Sequence, residues 1–159
     1  MNKKLITISG PTASGKTDLS IALALSLNCS IISSDSRQFY KEMTIGTAVP
    51  SKKELSKVKH YCIQHKSIND NYTIKDFQIE ALNIIKNELK INNNIIMVGG
   101  SGMYMDALIY GLDSFPEIIP EIRAEISSQY KDLGIKYLQN KLKNLDPEYF
   151  LKVDIHNHR

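Results

Sequence analysis

The sequence predicts an α/β fold: a parallel sheet flanked by helices, followed by a small helical insert. Three observations predict it. Leu5–Ile8, Cys29–Ser33 and Ile95–Val98 are short, largely apolar runs without clean alternation, the pattern of parallel strands covered on both faces. Stretches with apolar residues at three- and four-residue steps separate them. Beyond Gly111 only helical patterns remain, punctuated by Pro116, Pro120, Gly134 and Pro147.

The first strand, carrying Leu5, Ile6 and Ile8, runs into a glycine loop. Gly10, Gly15, Lys16 and Thr17 fall at the spacing G-x-x-x-x-G-K-[ST], and Asp18 to Leu27 reads as a helix. Strand, loop and helix in that order are the setting of a phosphate-binding loop, so the sheet is expected to be P-loop NTPase-like. Gly10 and Gly15 permit backbone dihedrals and a close approach that a Cβ would block. The loop amides and the positive end of the helix converge on one place, which suits an anion. Lys16 adds a point charge there, and the Thr17 hydroxyl suits a Mg²⁺ ligand. The helix carries Leu19, Ile21, Ala22, Leu23, Ala24 and Leu27. It is apolar almost all round and is expected to be buried.

The second strand ends in Ser34, Asp35, Ser36, Arg37 and Gln38. Ligands of open parallel sheets sit off the carboxyl ends of the strands, which puts Asp35 beside the phosphate loop. Asp35 also suits the N-cap of a short segment from Arg37 to Met43, and spacing alone leaves cap and function open. Gly46, Thr47 and Pro50 mark a loop, and the run with Lys52, Lys53, Lys57, Lys59 and His60 reads as a solvated face. Thr73 and Asp76 approximate a capping box. The helix after them places Ile74, Phe77, Ala81, Ile85 and Leu89 on one face and ends at the asparagine turn Asn92–Asn94.

The third strand leads into Gly99, Gly100, Ser101 and Gly102. Nucleotide-hydrolysing P-loop proteins often carry an acidic Mg²⁺ ligand at this place. Here Gly99 holds it. The loop is built for close backbone approach, with Ser101 as its polar side chain and a possible N-cap for the helix Met103–Tyr110. Pro116 and Pro120 open the next helix, with Ile122, Ile126, Tyr130 and Leu133 on one face. Ile135, Leu138 and Leu142 mark another, and Asp146-Pro147 begins a last one by the cap-then-proline rule. Arg123 reads as an exposed helical arginine, and His156 and His158 lack the further ligands that a metal site needs. Residues 1–112 are thus expected to form the core and 113–159 the insert. Three strands are too few for the usual doubly wound sheet, and no closing element follows the last helix. The chain therefore reads as an N-terminal portion of a longer protein.

Composition sets the bounds. With 159 residues, 42% apolar and 23% charged, the chain suits one soluble globular domain. A formal charge of +3 is compatible with an anionic partner without pointing to nucleic acid. Cys29 and Cys62 stand far apart with no C-x-x-C, so neither a disulfide framework nor a zinc site is expected from spacing. No apolar run is long enough to span a membrane, and Met1 leads straight into the first strand with no signal peptide. A reducing, cytoplasmic setting is expected.

Taken in order, GPTASGKT at Gly10–Thr17, DSRQFY at Asp35–Tyr40, GTAVP at Gly46–Pro50 and GGSGMY at Gly99–Tyr104 resemble the tRNA dimethylallyltransferases, also called isopentenyl-tRNA transferases. The family pattern reads GGTGLY where this chain has Ser101 and Met103, and a His-His pair where it has His60-Tyr61, so no role is assigned to His60. The resemblance implies a reaction in which a dimethylallyl group moves from dimethylallyl diphosphate to the N6 amine of an adenine beside the tRNA anticodon. It implies diphosphate binding by Gly10, Pro11, Thr12, Ala13, Ser14, Gly15, Lys16 and Thr17, with Mg²⁺ on Thr17. It implies Asp35 as the base that takes the N6 proton, and Ser101 as an orienting hydroxyl. Asp35, Ser36, Arg37, Gln38, Ser101, Arg123 and Arg159 match positions that touch the RNA. The full-length protein is expected to be a monomer, its partners tRNA and the prenyl donor. Two rivals stand beside this reading. A nucleotide or metabolite kinase would share the P-loop, although Arg123 and Arg159 make a thin lid. A non-catalytic RNA-binding fragment is the second. Adenylate-prenylating enzymes resemble the family too, which leaves a free nucleotide open as acceptor.

Overall fold

Ile31 and Ile32 are adjacent in sequence and fully buried, yet they belong to different hydrophobic clusters. Successive side chains of a strand point to opposite faces, so both faces of this sheet must be covered. The computed structural model describes residues 2–113 and 119–157, and the chain divides into two units at Asp113 and Ser114.

In the first unit β1 (Lys4–Ser9), β2 (Ile31–Ser33), β3 (His60–Tyr61) and β4 (Asn94–Gly99) form a parallel sheet in the order β1-β4-β2-β3. Ser9 lies opposite Gly99, and Ser33 opposite Val98, so β1, β4 and β2 finish together at one edge. On one face α1 (Lys16–Leu27) packs Ile21 and Ala24 against Ile31 and Ile96. On the other, α3 (Ile74–Ile91) and α4 (Gly102–Ile109) bring Phe77, Ala81, Met105 and Leu108 onto Ile32, Ile95 and Met97. Phe39 sits among the aromatics of this face, stacked on Phe77 with ring centres 5.2 Å apart and edge-on to Tyr104 at 5.3 Å. The Thr73–Asp76 capping box is present: Asp76 N–H donates to Thr73 Oγ1, and Thr73 N–H donates to Asp76 Oδ2.

The sheet departs from expectation in four ways. It has a fourth strand, β3, inside the basic run that reads as a solvated face. Two residues show no periodicity, and what holds them is distant in sequence: Tyr61 Oη donates to Glu88 of α3 at 2.5 Å, and Lys59 Nζ lies 3.4 Å from the same carboxylate. The same run contains α2 (Lys52–Leu55), opened by a Ser51–Glu54 capping box. Residues 37–43 form turns, not a helix, so Asp35 caps no helix there; its Oδ1 accepts from Arg37 N–H at 3.1 Å within a turn. Finally, α1 is buried on one side only. Leu19 and Leu25 are more than half exposed, because the sheet covers just the Ile21–Ala24 face.

The second unit holds α5 (Pro120–Leu133), α6 (Ile135–Leu145) and α7 (Pro147–Phe150). Pro120 starts α5, and Gly134, at φ 72°, breaks it from α6. Asp146 caps α7 by accepting from Tyr149 N–H at 2.9 Å. Pro116 lies outside the described residues. Among those described, no helix is long and apolar enough to cross a membrane.

Candidate active site

The shared strand edge brings three loops to one cavity of about 360 Å³. Thr12 to Thr17 line one side of it, Asp35, Arg37 and Gln38 another, and Val98, Gly99 and Gly100 a third. The phosphate loop has the conformation its sequence demands. Gly15, at φ 79°, is the N-cap of α1 and offers no side chain. The first-turn amides of α1 therefore have no side-chain acceptor and are available to an anion. Lys16 Nζ folds back to donate to the Pro11 carbonyl, which holds the ammonium at the loop. Ala13, at φ 64°, takes a left-handed conformation as well.

Asp35 leaves β2 directly into this cavity. With Oδ1 engaged by Arg37 N–H, Oδ2 turns toward Gly100, within 4.0 Å of where a Cβ on that residue would stand. Gly99 explains the closeness. A Cβ there would stand 2.8 Å from the Ser34 carbonyl carbon and 3.0 Å from Asp35 N. No side chain, acidic ones included, fits at the end of β4 unless the Asp35 backbone moves. Ser101 opens α4 but makes no side-chain cap bond. Its Oγ accepts instead from Ser36 N–H at 3.3 Å, with Ser36 Oγ 3.4 Å away, which ties the loop after β4 to the one after β2. Ser36 and Ser101 thus stand behind the cavity rather than on its wall.

Gln38 is used inside the protein. Its Oε1 accepts from Ser33 Oγ at 2.9 Å, and its Nε2 donates to Thr47 O at 3.2 Å and Ala48 O at 2.9 Å. It thereby fixes the Gly46–Pro50 loop, whose Gly46, Thr47, Ala48 and Pro50 complete the cavity together with Glu54, His60 and Ile63. None of these was assigned a role from sequence. The GTAVP pattern and the Ser51–Glu54 capping spacing were the available signals, and His60 reaches the cavity only because β3 exists. Its Nδ1 donates to Val58 O at 2.8 Å, and burial pushes its pKa down, which favours the neutral ring. Of the remaining positions, Arg123 is exposed on α5 of the second unit, and Arg159 lies outside the described residues. Thr17, which lines the cavity, carries a hard oxygen donor of the kind Mg²⁺ accepts beside phosphate oxygens and water. The residues present fit that ion.

Fold and cavity define an α/β protein of the P-loop class, with the Asp35 carboxylate and the Thr17 hydroxyl on the cavity wall and a glycine where hydrolases place an acid. A family model described as IPP transferase matches residues 38–159, and the chain belongs to that family. Its relatives include tRNA dimethylallyltransferases of Flavobacterium johnsoniae, 58% identical over 98% of this chain, and Flavobacterium psychrophilum, 60% identical over 94%. The chain spans about half the length of these curated relatives, 50% and 48%. Two solved structures are similar across nearly its whole length. The tRNA isopentenylpyrophosphate transferase of Bacillus halodurans is 33% identical, with a TM-score of 0.68 over 98% of this chain and 52% of its own. A eukaryotic dimethylallyltransferase captured acting on tRNA is 26% identical, with a TM-score of 0.81 over 97% and 38%.

Proposed function

We propose that the protein transfers a dimethylallyl group from dimethylallyl diphosphate to the N6 amine of an adenine beside the tRNA anticodon. The observation that carries this reading is the pairing of a phosphate loop with Asp35, across a cavity whose third wall, Gly99–Gly100, has no room for a hydrolytic acid. The P-loop amides and Lys16 hold the diphosphate and stabilise it as it leaves. Thr17 would hold Mg²⁺ together with the diphosphate oxygens, and the ion would neutralise charge on the leaving group. The bond between the allylic carbon and oxygen breaks, the N6–carbon bond forms, and Asp35 accepts the N6 proton. Ser101 acts through Ser36, holding the Asp35 loop in place.

Ser36, Arg37, Arg123 and Arg159 are assigned to the RNA. Gln38 supports that surface mainly by holding the Gly46–Pro50 loop. The target base has to leave the anticodon-loop stack, which a single-stranded loop allows at modest cost. The reaction is placed in the cytoplasm and assigned to a monomer. The test is mass spectrometry of tRNA nucleosides after incubating tRNA, dimethylallyl diphosphate and Mg²⁺ with the protein expressed from its whole gene. N6-dimethylallyladenosine is the expected product. Unmodified tRNA alongside prenylated adenosine monophosphate, supplied in a parallel reaction, would overturn the tRNA assignment in favour of a nucleotide acceptor.

A further inference from the structure

Away from the phosphate-loop cavity, three metal-ligating side chains converge beneath β3. Cys62 follows that strand directly, at φ 58°; His65 is three residues on; Glu80 projects from α3. One ligand atom from each lies within 4.8 Å of the others. None of the three lines the cavity of the proposed reaction. The His65 ring packs edge-on to Phe39 and Tyr72, but packing does not satisfy its nitrogens. Both of its nitrogens are buried, Nδ1 has no hydrogen-bond partner among the described residues, and Nε2 is 3.2 Å from Glu80 Oε1 but poorly aimed for a hydrogen bond. Glu80 divides its two oxygens. Oε2 accepts from Tyr72 Oη at 2.9 Å and pairs with Lys66 Nζ at 3.1 Å, so Oε1 alone faces His65.

We propose that Cys62 Sγ, a His65 nitrogen and Glu80 Oε1 form a three-ligand site for a zinc-class divalent cation, with water as the fourth ligand. A thiolate and an imidazole select a borderline-soft ion over Mg²⁺ or Ca²⁺. One thiolate and one carboxylate balance the ion's charge, and Lys66 and Tyr72 stay on Oε2 as outer-shell supports that fix the carboxylate. Bond lengths of about 2.0–2.3 Å require the ligand atoms to draw in by roughly 1 Å. Glu80 also borders an open cavity with Tyr72, Asp76 and Asn83. Binding forms the metal–sulfur bond and releases the thiol proton to solvent. The ion would fasten the edge strand β3 to α3.

Cobalt(II), the spectroscopic substitute for zinc, tests this. Titrating the metal-free protein should produce a near-ultraviolet thiolate-to-cobalt charge-transfer band and the intense visible bands of a four-coordinate ion, saturating at one equivalent and displaced by zinc. Cys62→Ser should abolish the charge-transfer band while Cys29→Ser keeps it. His65→Ala should weaken cobalt binding by more than the roughly 10–100-fold that losing an outer-shell partner costs, and it carries the test alone if Cys62→Ser does not fold. A wild-type protein with no charge-transfer band, a band that survives Cys62→Ser, or cobalt affinity unchanged in His65→Ala would overturn the site.

Discussion

Gly99 shows how one residue couples the sheet to the chemistry. Its missing side chain lets the Ser34–Asp35 peptide pass against β4, which brings the carboxylate to the phosphate loop. Gly99→Ala should cost roughly 1–3 kcal/mol, the usual range for an overpacked core, and should slow transfer because Asp35 moves. Urea denaturation and a transfer assay on the same variant check both; unchanged stability would show that the strand ends are looser than drawn. At this scale much of the site was legible in the sequence. The phosphate loop carries its own geometry, and the position of Asp35 after a buried strand placed it beside that loop. Gln38 and Ser101 were not legible as they stand, because hydrogen bonds from Gln38 to Ala48 and from Ser36 to Ser101 join segments that no local pattern links.

At the scale of elements, strong local signals were read and weak ones were missed. The Thr73 capping box and the Phe77–Ala81 face defined α3, and Thr73→Ala should cost about 1 kcal/mol, the typical worth of an N-cap. β3 had no comparable signal. It depends on Glu88, 8% exposed, which accepts from Ser30 Oγ at 2.7 Å and from Tyr61. Burial pushes the Glu88 carboxyl up, but the hydrogen bonds from Tyr61, Ser30 and Lys59 outweigh this and hold it below its ordinary value. A folded-state value below the unfolded one, about 4.3, gives a contribution that is complete above that pH and is lost as pH falls through the lower folded value. The gap in unfolding free energy between wild type and Glu88→Gln should accordingly be constant above about pH 5 and shrink below pH 4. A gap that does not change on acidification would remove Glu88 as the tie between β2, β3 and α3.

For the molecule as a whole, the class of fold followed from run lengths and spacing, while the extent of burial did not. An all-round apolar helix reads as buried, yet α1 meets the sheet on one side and leaves Leu19 and Leu25 in solvent. Apolar content cannot tell how much cover a helix receives. The cavity has consequences for nucleotide chemistry. A P-loop without an acid at the end of β4 should bind diphosphates and show no turnover of ATP or GTP; steady hydrolysis at about 1 s⁻¹ or more, the rate of ordinary kinases, would contradict the prenyl-transfer reading.

In the proposed transfer Lys16 and Asp35 serve different steps. Single-turnover prenyl transfer, measured alongside donor binding on the protein expressed from its whole gene, tests this most directly. Lys16→Ala should weaken donor binding and slow transfer together. Asp35→Asn keeps the size of the side chain and cannot take a proton, so transfer should fall about 10²–10⁴-fold, the usual contribution of a general base, with donor affinity little changed. Transfer by Asp35→Asn at close to the wild-type rate, or loss of its Mg²⁺-dependent donor binding, would contradict the assignment of Asp35 as the base.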